Sequence, residues 1–146
     1  MTWDLRLGNC LDPITGLASL GDKSIDVTVC DPPYEAEAHT KGRRTKRDIG
    51  GKGVGVVEEP LPFPPITEEE RAAVSLHLGR LTRRWVLVFC QVEAAPRWAT
   101  ALVAGGLQYV RTMVWVKPDG QPQLTGDRPG MGYESIVVAH PAGRKR

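Results

Sequence analysis

Three observations predict an α/β fold with a mostly parallel sheet and an antiparallel edge pair. Strand-like and helix-like segments alternate along most of the chain, the pattern of strands joined by helical crossovers. The run Trp85-Val86-Leu87-Val88-Phe89-Cys90 is nearly continuous in apolar residues, which suits a strand covered on both faces. The last two strands have no helix between them, so they can lie side by side and antiparallel.

The elements follow in order. Trp3 to Leu7 alternates loosely and reads as a short strand. Asp12-Pro13 opens a helix that reaches about Leu20, with Asp12 as N-cap and Pro13 at the first helical position; Gly21-Asp22 closes it. Ile25 to Cys30 is a strand, since Ile25, Val27 and Val29 alternate with Asp26, Thr28 and Cys30. It stops at Asp31 because two prolines follow, and neither can donate to a ladder. Residues 35–65 lack periodicity and hold basic residues, glycines and prolines. A loop of that length inside a domain is usually functional or disordered. Thr67 and Glu70 have capping-box spacing and start a helix to about Arg83, with Val74, Leu78 and Leu81 on one face. After the apolar strand at 85–90, a helix covers Glu93 to Val103, with Pro96 in its first turn and Gly105-Gly106 beyond its end. Leu107 to Lys117 and Tyr133 to Ala139 are the last two strands. No internal repeat is present.

The chain has 146 residues, enough for one domain spanning 1–146. Hydrophobic residues make up 41% and charged residues 25%, which excludes neither an enzyme nor a binding module but does exclude a low-complexity chain. No run of eighteen apolar residues occurs, and the first residues lack a signal-peptide pattern. Cys10, Cys30 and Cys90 are far apart and odd in number. They read as reduced thiols of a cytoplasmic protein, without a disulfide frame, and no metal site is expected. The net charge is +2, yet Lys41, Arg43, Arg44, Lys46 and Arg47 crowd into seven positions. Such a cluster is either a solvated loop or a polyanion contact.

The site follows from Asp31-Pro32-Pro33-Tyr34. In open α/β sheets the ligand crevice lies beyond the carboxyl ends of the strands, and this tetrapeptide stands there. Pro32 and Pro33 stiffen the chain and lack N–H groups. What remains is a carboxylate, carbonyls without a regular ladder partner, and the flat ring of Tyr34. That set suits a planar group bearing an NH2: carboxylate and carbonyl each accept one hydrogen, and the ring stacks on the heterocycle. Drawing both hydrogens toward acceptors localises the nitrogen lone pair, and Asp31 offsets the positive charge that develops on nitrogen. The bland alternative is a Pro-Pro turn with an incidental acid. Chance supplies this tetrapeptide in roughly one such chain in two thousand, so the chemical reading is the stronger.

On these residues the chain resembles the DNA amino-methyltransferases that place the catalytic motif ahead of the cofactor motif. Asp31-Pro32-Pro33-Tyr34 matches their catalytic motif, and the approach from Leu5 to Tyr34 resembles the stretch leading into it. "RRWVLVFC", "RTMVWVKPDG" and "GMGYESIVVAH" are similar to later strands of the same catalytic half. The resemblance implies a partial Rossmann-like fold, S-adenosylmethionine as methyl donor, double-stranded DNA as partner, and transfer to adenine N6 of a flipped-out base. Asp at the first motif position favours adenine; transfer to cytosine N4 or to RNA, and a non-catalytic DNA-binding remnant, stay open. Asp31, Pro32, Pro33 and Tyr34 are the implied catalytic residues. Asn9, Cys10 and Asp31 are the implied cofactor contacts, with Asn9 either at an adenine edge or in a plain turn. Lys41, Arg43, Arg44, Lys46 and Arg47 are the implied phosphate contacts. A restriction-modification role is one setting for such chemistry.

The glycine-rich turn that holds the methionine end of the cofactor in that family has no match here. Gly50 to Gly55 follows no strand and opens no helix, and Gly126 to Gly132 precedes a strand. The expectation is therefore a cofactor site that is incomplete on this chain. The protein would be a fragment, a split enzyme or a degenerate one, with self-association or a partner chain supplying the other half. His39, His77 and His140 are scattered. Trp85, Trp98 and Trp115 are expected in the core.

Overall fold

The computed structural model describes residues 3–36, 62–118 and 130–143. Its elements are β1 (Ile25–Cys30), α1 (Glu68–Leu81), β2 (Thr82–Cys90), α2 (Ala95–Ala104), β3 (Leu107–Val116) and β4 (Tyr133–Pro141). The four strands form one sheet in the order β1-β2-β4-β3. β1 and β2 are parallel and joined through α1. β4 runs antiparallel to both of its neighbours, β2 and β3. The expected antiparallel pair is thus β3 with β4, and it does lie at an edge. Three of the four strands run one way, with β4 inserted against them.

α1 begins where the sequence places it. The Thr67 side chain accepts from the Glu70 N–H at 3.2 Å, and Glu70 Oε2 accepts from the Thr67 N–H at 2.9 Å. Both satisfy donors that a helix start leaves unpaired. Its buried face holds Arg71, Val74, Ser75, Leu78, Gly79 and Leu81. α1 runs straight into β2 at Thr82, so the strand starts three residues before the apolar run. A 3-10 turn, Val92–Ala94, leads into α2, and Pro96 sits in the first turn of that helix.

Both helices pack on one face of the sheet. Val74 and Leu78 of α1, Trp98 and Leu102 of α2, Val86, Val88 and Cys90 of β2, and Val137 and Ala139 of β4 share a single core cluster. The helices approach closely where glycines allow it. A Cβ on Gly79 would lie 1.8 Å from the Gly105 carbonyl oxygen, and one on Gly105 would lie 2.4 Å from that of Ser75. Any side chain at either position would push the helices apart.

Three expectations are corrected. Trp3–Leu7 forms no strand. The helix expected over Asp12–Leu20 is a series of turns ending in a 3-10 helix, Leu17–Ser19. The cause is local: Asp12 Oδ1 accepts from the N–H groups of Ile14 and Thr15 and from the Thr15 hydroxyl, at 2.7–2.9 Å. Three hydrogen bonds also hold the Asp12 carboxyl below its ordinary range. An Asp side chain that satisfies the backbone this way competes with helix formation. Finally, Trp98 is core at 1% exposure, but Trp85 and Trp115 are exposed at 38% and 53%. Both stand on the sheet face opposite the helices. Trp85 meets the His140 ring edge-on, and Trp115 meets Phe89 likewise.

Candidate functional site

The carboxyl ends of β1, β2 and β3 and the start of β4 meet along one end of the sheet. Cys30 pairs with Val88, Cys90 with Ser135, and Trp115 with Glu134. Asp31-Pro32-Pro33-Tyr34 leaves β1 at this end as a segment without regular secondary structure. Asp31 and Pro33 are exposed, and Pro32 and Tyr34 are half-buried. No turn or loop hydrogen bond among the described residues uses the Pro32 carbonyl. Val27 and Val29 share the exposed face of β1 away from the helices, and Asp31 is the first residue beyond the strand.

The elbow is fastened on its far side. The Ile66 N–H donates to the Tyr34 carbonyl at 3.2 Å. Glu35, next in sequence, is buried and accepts from Arg71 Nη2 at 2.8 Å. Arg71 also pairs with Glu68, and its guanidinium carbon lies 5.5 Å from the Trp98 ring centre. The motif is thus tied to the first turn of α1 by a buried ion pair. Glu35 Oε2, Arg71 Nε and Ser75 Oγ are buried without a partner among the described residues. Glu35 and Arg71 are not in the sequence-based site. A visible signal existed: Arg71 is three residues ahead of Val74, on the face that also carries Leu78.

Glu134 and Lys117 are the second addition. Burial first, then the nearby Asp31 and Glu134 carboxylates, hold the Tyr34 phenol well above its ordinary range. Glu134 in turn forms an ion pair with Lys117. The Lys117 N–H donates to the Gly132 carbonyl at 2.7 Å, which ties the end of β3 to the approach of β4. No linear motif could join Tyr34 to Glu134, since the strand order that brings them together is a long-range property.

The other expected residues divide. Asn9 is in a turn: its Oδ1 accepts from the Leu11 N–H at 2.9 Å and its carbonyl from the Asp12 N–H at 3.0 Å. Cys10 is exposed, and its charge is felt at Cys30 on β1. Arg80 of α1 holds this segment by donating to the Leu17 and Leu20 carbonyls. The burial of Cys30, followed by the charges of Cys10 and Asp31, pushes its thiol up to about 12. Lys41, Arg43, Arg44, Lys46 and Arg47 lie outside the described residues. Among the described residues no His/Cys/Asp/Glu group could hold a metal ion, and no helix is long and apolar enough to cross a membrane.

No protein-family profile and no curated protein matches the chain. Solved structures do. One is the M1.HpyAVI–SAM complex, with a TM-score of 0.52 at 17% identity, over 84% of this chain and 45% of that one. Another is TTHA0409 from Thermus thermophilus, a putative DNA modification methylase complexed with S-adenosyl-L-methionine. It matches with a TM-score of 0.56 at 15% identity, over 89% of this chain and 51% of that one. The chain therefore spans about half the length of these proteins. At such identities the likeness speaks for architecture: the chain has a partial Rossmann-like α/β fold of the kind found in these methylases.

Proposed function

We propose that this chain carries the catalytic-motif part of an S-adenosylmethionine-dependent DNA methyltransferase acting on adenine N6. One observation carries the reading. Asp31-Pro32-Pro33-Tyr34 stands at the carboxyl end of β1 with Asp31 exposed, in a fold shared with DNA methylases. Asp31 and the Pro32 carbonyl accept the two amine hydrogens, and Tyr34 stacks on the base. The base must leave the duplex to reach them. With both hydrogens drawn to acceptors, the nitrogen lone pair leaves conjugation with the ring, and the Asp31 carboxylate offsets the charge that grows there. Lys41, Arg43, Arg44, Lys46 and Arg47, which follow the motif in sequence, supply phosphate contacts.

The donor would bring an electrophilic methyl to this end of the sheet. The described residues offer it only Asp31 and the turn at Asn9-Cys10, with no glycine-rich passage from strand to helix. They do not form a full cradle, so a partner chain or self-association is part of the reading. The test combines titration and product analysis. Calorimetry on the 146-residue chain should show S-adenosylmethionine binding weaker than micromolar. Duplex DNA treated with the chain and millimolar methyl-labelled donor should yield N6-methyladenine after digestion to nucleosides, and Asp31→Ala should abolish it. N4-methylcytosine alone would move the reading to cytosine. Tight donor binding with no methylated nucleoside would end it.

A further inference from the structure

We infer that the buried Glu35–Arg71 pair is a clamp that sets where Asp31 and the Pro32 carbonyl stand, so that Glu35 and Arg71 are positioning residues for the base amine. The inference rests on the base-binding reading of Asp31 and adds two residues to it.

The elbow has little of its own to hold it. Pro32 and Pro33 bring no N–H, and the last register pair of β1 is Cys30 with Val88. Beyond it, the turn and loop backbone hydrogen bonds among the described residues reach the motif only at the Tyr34 carbonyl, which accepts from the Ile66 N–H. The next residue is Glu35, 4% exposed, and its Oε1 accepts from Arg71 Nη2 at 2.8 Å. Both contacts come from the start of α1. Ile66 precedes the Thr67 cap, and the Arg71 N–H donates to the Thr67 carbonyl at 3.0 Å. α1 runs directly into β2, and β2 pairs with β1. The two ends of the elbow are thus referred to one rigid frame, and Asp31 to Tyr34 span the gap. Stability does not account for the pair. A buried ion pair loses about as much hydration as it regains in attraction. Here Glu35 Oε2, Arg71 Nε and Ser75 Oγ are also left buried without a partner among the described residues, and each such atom costs free energy. What the pair supplies is a single location for the residue after Tyr34. An amine whose two hydrogens need two acceptors requires it, because hydrogen bonds weaken steeply once the geometry is off.

The experiment uses the full 146-residue chain and two DNA duplexes that differ in one group. One carries an adenine opposite an abasic site; the other carries purine, which lacks the amine, at the same position. Each binding ratio is read at a temperature where circular dichroism shows the variant folded. Wild-type protein should prefer the adenine duplex by about tenfold, the worth of a hydrogen bond to a charged group. Glu35→Gln combined with Arg71→Met removes the pair without stranding a charge, and Met keeps an unbranched stem beside Trp98. This double variant should prefer adenine by less than about twofold, the ratio left when that bond is lost. Leu102→Ala opens a core cavity and leaves both members of the pair in place; it should keep the wild-type preference. A merely structural role for the pair predicts the same preference in every folded variant. Hydrogen exchange gives a second readout that needs no DNA. Measured against the Val88 amide, the Ile66 amide should exchange at least about tenfold faster in the double variant than in wild type. A double variant that keeps the wild-type preference overturns the inference, as does Leu102→Ala losing it or an unchanged Ile66 rate. Equal binding of both duplexes by the wild-type chain overturns the base-binding reading, and the Ile66 rate then decides alone whether the pair holds the elbow.

Discussion

Cys10, Cys30 and Cys90 are chemically alike in sequence, and the fold makes them differ. Cys10 is exposed, Cys30 is half-buried with its thiol 3.8 Å from the Leu87 carbonyl, and Cys90 lies in the core. Cys90 is pushed up to about 12 by burial, with the Glu35 charge adding and Arg71 opposing. In an unfolded chain both buried thiols would titrate near 9.0. Folding therefore favours their protonated forms. The stability they contribute is complete below pH 9 and is lost as pH rises through about 12. In native protein at about pH 8, a thiol reagent should label Cys10 rapidly and the other two slowly, and Cys10→Ser should remove the fast phase. Urea midpoints should fall as pH climbs above 9. Three equal labelling rates would mean that the ends of β1 and β2, at Cys30 and Cys90, open freely.

Among the elements, α1 shows what the sequence discloses and what it hides. Its start was legible because Thr67 and Glu70 act within one turn of chain. β1 was legible because alternation reports a strand directly. The Asp12 segment misled because an N-cap and an Asx turn use the same side-chain oxygen, and only the following residues decide between them. Arg71 was overlooked because its partner is 36 positions away in sequence. That pair yields a sharp expectation. Arg71→Met leaves the Glu35 carboxylate buried and unpaired, which should lower stability by about 3–5 kcal/mol in urea unfolding. Glu35→Gln combined with Arg71→Met removes the stranded charge and should recover at least half of the loss. Equal losses in the single and double variants would show that Arg71 acts through packing on Trp98 alone.

At the scale of the whole molecule, strand order separates what was readable from what was not. The crossovers follow from local alternation, but the insertion of β4 between β2 and β3 depends on pairings that no window of sequence contains. Those pairings leave Trp115 and nearly all of β3 exposed, although many of the residues are apolar. They also expose the face opposite the helices. Among the described residues nothing covers Val29, at 62% exposure, or its neighbour on the same row, Val27. A parallel pair such as β1 and β2 normally has both faces covered, and a contiguous apolar patch marks a contact surface. Met113, Trp115 and Trp85 extend this patch across the sheet. The 146-residue chain should accordingly bind an apolar fluorescent dye in its native state and self-associate as concentration rises, as seen by sedimentation. Val27→Lys with Val29→Lys should reduce both signals with little change in unfolding temperature, because neither side chain belongs to the helix-side core. Each lysine keeps its stem along the sheet and puts its charge in water, which opposes apolar contact. A wild-type chain that stays monomeric and binds no dye would mean that this face is already covered within the protein, and the exposed patch would then be no contact surface at all.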